Sequence, residues 1–558
     1  MSYQVYAIEN PSSHRIHGGL HSGKQIIIRG RMYEGGQSFA INLQSEEHEG
    51  CDIAFHLNPR HNENKIVRNS FEGDWAEEET GEVYHYPFAE NQDFAIRILV
   101  TDSQYKVYGN GYHVVDFNHR LSYQNVHFVR VTGEAHFYDI SFQDKVSSPY
   151  VGVIPGKFQV GKAVRIRGVV TDTGKDVFSL NFQCDPSGDE IAYHFNPRHS
   201  DEAVVRNSKI GGDWGDEERD IPHFPFHPGN FFDMFCVATN EGFTTFINGA
   251  FYVNFAYRCS VEQVSHMAIQ GDVDIADVQY FEQTRDNVCK EIPSGLKKGD
   301  VITVRGIFQA DAQSFSVNLH HENDADSDIA LHYNPRRSQQ QVVLNTRYGG
   351  DWGEEQVEDL PWVFRENLPF ELRIISKPKK FKIYCNGRFM TQFPARESVL
   401  DIVKSVSVAG DAYIHQIKLQ RQVVLPHFER IPGHINENHW ISFTGTITKQ
   451  STEFSVNLQC GEDDSSDIAL HFNPRIADQQ VVRNSKQNGD WQDEENDQPE
   501  FPFQHKDFFE IILCVQHDTI RTFVNGRNFV NFDHRLNKDQ ICHVMTRGNA
   551  NFFQPEFF

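Results

Sequence analysis

Positive charge is scarce in this chain: 52 Lys and Arg stand against 77 Asp and Glu, a formal net charge of −25 over 558 residues. Phosphate backbones and anionic membrane surfaces are bound through clustered cations, so nucleic acid and membrane insertion drop out as expected modes of action. No run of about 18 apolar residues occurs, and nothing reads as a membrane-spanning helix. The opening MSYQVYAIENPSSH has no apolar stretch of signal-peptide length, and synthesis in the cytoplasm is the expectation. Cysteine is sparse too, nine residues with no C-x-x-C spacing, mostly inside apolar strand-like runs. Buried free thiols are expected rather than a disulfide framework or a metal site. Helical periodicity of useful length is also missing.

What is present is repetition. A chain this long exceeds one hydrophobic core, and its 39% hydrophobic and 13% aromatic content suits β-rich globular units. The segments FHLNPR, HFNPR, HYNPR and HFNPR start their shared pattern at His56, His194, His332 and His471, which are 138, 138 and 139 residues apart. That is a domain-sized period, too long for a solenoid. Paired runs such as IIIRGRMY with FAINL, VRIRGVV with FSLNF, ITVRGIF with FSVNL and ISFTGTI with FSVNL precede each motif. YKVYGNG, TTFINGA, FKIYCNG and RTFVNGR follow. Short alternating strands ending at Gly, Asn and Asp turns predict four all-β units, each an antiparallel two-sheet sandwich, over 1–145, 146–285, 286–421 and 422–558. The joins near 143–150, 282–292 and 420–427 are short and lack Gly/Ser tracts, so the units should sit close together.

In an extended strand the His, Asn and Arg of H-x-N-x-R share one face. Those residues are His56, Asn58 and Arg60; His194, Asn196 and Arg198; His332, Asn334 and Arg336; His471, Asn473 and Arg475. Thirteen residues after each His stands Asn69, Asn207, Asn345 or Asn484, which a hairpin would bring beside the first strand. Trp75, Trp214, Trp352 and Trp491 come next, and Glu78, Glu217, Glu355 and Glu494 lie three residues beyond them. An indole offers a flat face to the C–H side of a pyranose, while the polar set supplies fixed donors and acceptors for hydroxyls. Galactose fits best among common sugars, because its axial 4-hydroxyl can be gripped opposite the stacked face, and a site built for that hydroxyl discriminates against sugars lacking it.

This compound pattern, H-x-N-x-R, then V-x-N, then W-x-x-E, resembles the carbohydrate-recognition domain of the galectins, and the resemblance covers essentially the whole chain. Four-unit chains of this kind look most like galectins of bivalve molluscs. The resemblance implies a jelly-roll sandwich and a non-enzymatic lectin that needs no metal or other cofactor. It implies that His56, Asn58 and Arg60 bind the galactose 4-hydroxyl, Asn69 the 6-hydroxyl, that Trp75 stacks, and that Glu78 with Arg60 contacts the next sugar. The matching residues of the other units take the same roles. It further implies galactose-containing glycans on glycoproteins, glycolipids or microbial surfaces as partners, agglutination and innate immunity as settings, and a cytosolic protein that reaches the outside without a signal peptide.

Departures from the family pattern carry expectations of their own. Many galectins have an Arg two residues beyond the Glu; here only Arg219 fills that place, against Thr80, Val357 and Asn496. The second unit should therefore hold the reducing-side sugar best. The first unit is one residue shorter before Trp75 and has Leu57 where the others have an aromatic, so its Trp is expected to sit slightly differently. In all four units the connection after H-x-N-x-R is shorter than in most vertebrate members, which predicts tolerance of galactose substituted at positions 2 and 3, as in blood-group-type glycans.

A sandwich-fold glycosidase needs two carboxyl groups about 5 to 9 Å apart. The candidates are Asp74 with Glu78, Asp213 with Glu217, Asp351 with Glu355 and Asp490 with Glu494, but each pair shares one short segment and the Glu has an Arg nearby that favours ionisation. The acidic loops at 45–52, 321–328 and 461–467 lack EF-hand spacing and read as solvated turns. A scaffold that uses the sandwiches only for protein contacts is the remaining alternative.

Overall fold

The computed structural model describes residues 2–6, 8–81, 86–144, 146, 148–281, 288–292, 294–308, 312–324, 326–361, 364, 369–395, 402–432, 435 and 439–558. Strands and short 3-10 turns make up its regular structure among these residues, and the strands form four successive antiparallel sandwiches. In the first, the site-bearing sheet runs in the order Ser12–Arg15, Phe128–Gly133, Phe39–Gln44, Ile53–Arg60, Lys65–Glu72, Asp74–Trp75. The backing sheet is Tyr112–Asn118, Gln104–Gly109, Asp93–Val100, Gln25–Met32, Ala135–Gln143. Their inward residues alternate with outward ones, as the burial of DFAIRILV over Asp93–Val100 shows.

Aromatic pairs bridge the two sheets at one place in every unit. Phe39 stacks on Phe94 with ring centroids 4.8 Å apart, Phe178 on Phe232 at 5.6 Å, Phe315 on Phe370 at 4.9 Å and Phe454 on Phe509 at 4.9 Å. Each pair fixes the spacing of the sheets directly beneath the site. The glycine of the repeated R-G or T-G step explains itself here. A Cβ on Gly30 would stand 2.7 Å from Phe94 Cζ, and one on Gly445 2.5 Å from Phe509 Cζ.

The units are held close together, as the short joins predict. The N-terminal strand Ser2–Tyr6 pairs antiparallel with Ala135–Gln143 of the first unit and parallel with Val273–Phe281 of the second, making one 11-stranded sheet from two backing sheets. The third join is tied to the fourth unit by a bridge of Gln422 to Phe553 and by Val423 N–H donating to Phe552 O at 2.9 Å. Residues 145, 147 and 282–287 of the first two joins, and residue 325 of one acidic loop, lie outside the described residues. Of the nine cysteines, Cys51, Cys236, Cys385 and Cys514 are buried as expected, while the other five are half-buried.

Candidate functional site

The side chains picked out by spacing come together in all four units. Along Ile53–Arg60 the pattern IAFHLNPR buries Leu57 and Pro59 and leaves His56, Asn58 and Arg60 half-buried on the opposite face. The hairpin places Asn69 directly across from His56, and the same register pairs His194 with Asn207, His332 with Asn345 and His471 with Asn484. Arg60 pairs with Lys65, so only residues 61–64 connect the strands, closing at Asn64 with φ 52°. Glu202, Gln340 and Gln479 take the same left-handed position at φ 44°, 54° and 51°. The connection is as short in space as in sequence.

A chain of hydrogen bonds runs through each site. His56 Nδ1 donates to Asn42 Oδ1 at 2.6 Å, since an amide oxygen can only accept; the partners are Asn181, Asn318 and Asn457 in the other units, at 2.6, 2.6 and 2.7 Å. Burial pushes all four rings down to about 4, and the neighbouring Arg60, Arg198, Arg336 and Arg475 add to it. The imidazole is therefore neutral with its Nε2 lone pair free to accept a hydroxyl proton. Asn58 Nδ2 donates to Phe39 O at 2.6 Å, while its Oδ1 accepts from Arg60 Nε at 2.8 Å. The guanidinium then reaches the Glu: Arg60 to Glu78 at 3.1 Å, Arg198 to Glu217 at 3.2 Å, Arg336 to Glu355 at 3.5 Å and Arg475 to Glu494 at 2.9 Å.

The indoles stand half in solvent, between 50% and 52% exposed. Each meets its His ring at an angle, with centroids 4.9 Å apart in the first unit and 4.8 Å in the rest. An exposed Trp held against a polar strip is a stacking platform with hydrogen-bonding groups beside it. The expectation that Trp75 sits differently is corrected. The missing residue is taken out of the turn, where Gly73 alone stands in place of Gly211–Gly212, and the ring keeps its place over His56. What changes is the residue paired across from the indole: Phe71 in the first unit, Lys209, Arg347 and Lys486 in the others. Leu57 points into the core and leaves the binding face unaltered.

Two supporting groups escaped the sequence reading. The Asn that orients each His lies on the strand before it, within the FAINL, FSLNF and FSVNL runs, where a polar residue repeated in an otherwise apolar run was the available signal. The second is an Arg from a distant strand end. Arg120 donates to Asn69 Oδ1 at 3.2 Å, to the carbonyl of Glu77 at 2.8 Å and to Glu79 at 2.7 Å. Arg258 and Arg535 do the same for Asn207 at 3.0 Å and Asn484 at 3.3 Å. Repeated F-x-x-R, at Phe117, Phe255, Phe393 and Phe532, was its signal; Arg396 of the third unit lies outside the described residues. The third unit also exchanges a cross-strand pair: the buried Arg68, Arg206 and Arg483 face the partly exposed Glu79, Glu218 and Glu495, whereas Leu344 faces Gln356.

The carboxylates do not form a hydrolytic pair. Asp74, Asp213, Asp351 and Asp490 are exposed, and each Glu is held against an arginine. Arg219, with Arg198, holds the Glu217 carboxyl below the usual range, the reverse of what a general acid needs.

Comparison with known proteins decides the family. A model described as Galactoside-binding lectin matches residues 11–142, 149–280, 287–419 and 426–555. The chain belongs to this family. It is similar to Galectin-6 of Mus musculus, 33% identical over 48% of this chain and 94% of the relative, and to Galectin-4 of Homo sapiens, 33% identical over 47% and 93%. It is also similar to a 32 kDa beta-galactoside-binding lectin of Caenorhabditis elegans, 31% identical over 46% and 91%. Each relative thus covers about half of this chain. Among solved structures, galectin LEC-6 of Caenorhabditis elegans aligns with 25% of the chain and 95% of its own length at 23% identity and a TM-score of 0.23. As a galactoside-binding lectin the chain is a carbohydrate binder and not an enzyme.

Proposed function

We propose that this lectin holds a terminal galactose in each of its four units and cross-links galactose-bearing glycans on glycoproteins, glycolipids or microbial surfaces. One observation carries the reading: the same neutral His, Asn–Arg–Glu chain and half-exposed Trp recur four times at nearly the same distances. His Nε2 accepts from the axial 4-hydroxyl and the Arg donates to it, while the spare Nδ2–H of the second Asn serves the 6-hydroxyl. Arg with Glu meets the neighbouring sugar, and the indole covers the apolar face. One such shallow site binds weakly, and four on one chain raise avidity by ~10²–10⁴ where geometry allows.

The four-residue connection after each Arg supports acceptance of galactose substituted at positions 2 and 3, and the double contact of Arg219 with Glu217, at 2.9 and 2.5 Å, supports the strongest hold on the reducing-side sugar in the second unit. Release to the cell exterior completes the reading. Lactose titration of the intact chain should give four sites, and a glycan array should show substituted and unsubstituted galactosides both bound and both displaced by lactose. A signal that lactose does not displace would favour the scaffold reading, and one restricted to unsubstituted lactosamine would remove the tolerance claim.

A further inference from the structure

Each site opens on the side of its sandwich opposite the outer face of the backing sheet, so what covers the outer faces fixes where the sites point. In the second unit that face is covered twice. Val169 and Phe231 pack with Trp440 and Phe523 of the fourth unit, and Arg167 pairs with Glu510 at 3.3 Å. Val237 and Phe246 pack with Ile307 of the third, where His415 Nε2 donates to Gly161 O at 3.1 Å. The third and fourth units also meet through backing sheets, with Tyr384 and Phe508 rings 5.2 Å apart. Three sandwiches thus stand back to back, and their sites open away from a common centre.

The first unit joins differently. Ala135–Gln143 runs antiparallel to Ser2–Tyr6 and Val273–Phe281 runs parallel to it, so these two equivalent strands run oppositely within one sheet whose strand order mirrors about the join. Two copies of one fold arranged so are related by a rotation about the sheet normal, which keeps both binding sheets on the same side. The outer face of the first unit accordingly turns toward the third, where His136 Nε2 meets Glu291 at 2.9 Å.

We infer that the molecule presents its first and second sites on one side and its third and fourth sites facing away from that side, and that its partner is a pair of galactose-bearing surfaces clasped from either side. The inference rests on the galactose reading above. Inter-unit contacts that are apolar and charge-paired hold this arrangement without any ligand.

Full-length variants with two sites left can test it on large vesicles and on a planar bilayer, both carrying a lactose-headed lipid. W352L/W491L retains the first and second sites, and W75L/W352L retains the second and fourth. Both should attach to the planar bilayer and come off with lactose. Only W75L/W352L should aggregate vesicles, with turbidity at least ten-fold above that of W352L/W491L and reversed by lactose. R336M/R475M and R60M/R336M repeat the comparison with a different side chain removed, and light scattering confirms that all four are monomeric. Equal aggregation by the two kinds of variant, or none by W75L/W352L, overturns the opposed arrangement. Absence of lactose-reversible attachment for the wild type would instead overturn the galactose reading.

Discussion

At the scale of single residues, each site depends on a protonation state that its surroundings impose. Nδ1 of His471 is committed to Asn457, and burial holds the ring near 4. Removing the Asn leaves a buried N–H without a partner and frees the ring to turn, a loss of about 1–3 kcal/mol in an interaction of this kind. In a full-length chain carrying W75L, W214L and W352L, where only the fourth site can bind, Asn457→Ala should weaken lactose binding by roughly 5- to 100-fold in a calorimetric titration. Unchanged affinity would mean that the His needs no orienting partner.

The same residues set a pH dependence. A His whose folded value is lowered stays neutral and competent until the pH approaches about 4, so lactose affinity should be level from pH 7.5 to about 5.5 and then fall. Stability follows the same sign. The unfolded rings take up protons below their ordinary value near 6.5 while the folded ones do not, so the stability present above that value is lost as the pH falls toward and through about 4. Affinity that dropped already between pH 7 and 6 would contradict the neutral, buried imidazole.

At the scale of strands, what the sequence made legible and what it hid can be told apart by connectivity. His56, Asn58 and Arg60 share a face because strand periodicity is two, and Asn69 lies opposite because a short hairpin allows little else. Both inferences needed only neighbouring residues. Arg120 reaches the same Asn from a strand 51 positions later, and no local pattern says that these two strand ends converge. It acts through a planar fork, donating at once to a side-chain amide, a carbonyl and a carboxylate, which an ammonium group cannot imitate. Arg535→Lys in the single-site chain should therefore lower lactose affinity by about ten-fold, nearly as much as Arg535→Ala, because three acceptors lose a shared donor. Recovery of wild-type affinity by lysine would show that only the positive charge counts.

At the scale of the whole molecule, the close packing followed from the short joins, but the arrangement was illegible for a physical reason. Outward strand positions such as Arg165, Arg167, Asp233 and Glu510 look like a solvated face, and only in the assembled structure do they become charge partners, Arg165 with Asp233 within the second unit and Arg167 with Glu510 across to the fourth. Such pairs lend specificity of docking more than raw stability, and the apolar contacts beside them supply most of the drive. Trp440, stacked on Phe523 at 5.8 Å, and Phe231, 5.5 Å from the same ring, form that contact between the second and fourth units. Both project from outer faces, so their loss spares the core of either sandwich. Trp440→Ala with Phe231→Ala should remove about 3–5 kcal/mol apiece from the docking. The fourth unit would then move on its join, raising the radius of gyration in small-angle scattering while each site keeps its lactose affinity. An unchanged radius would place the binding between units elsewhere, in the charged pairs. A larger radius together with lost affinity would mean that the docked neighbours support the sites themselves.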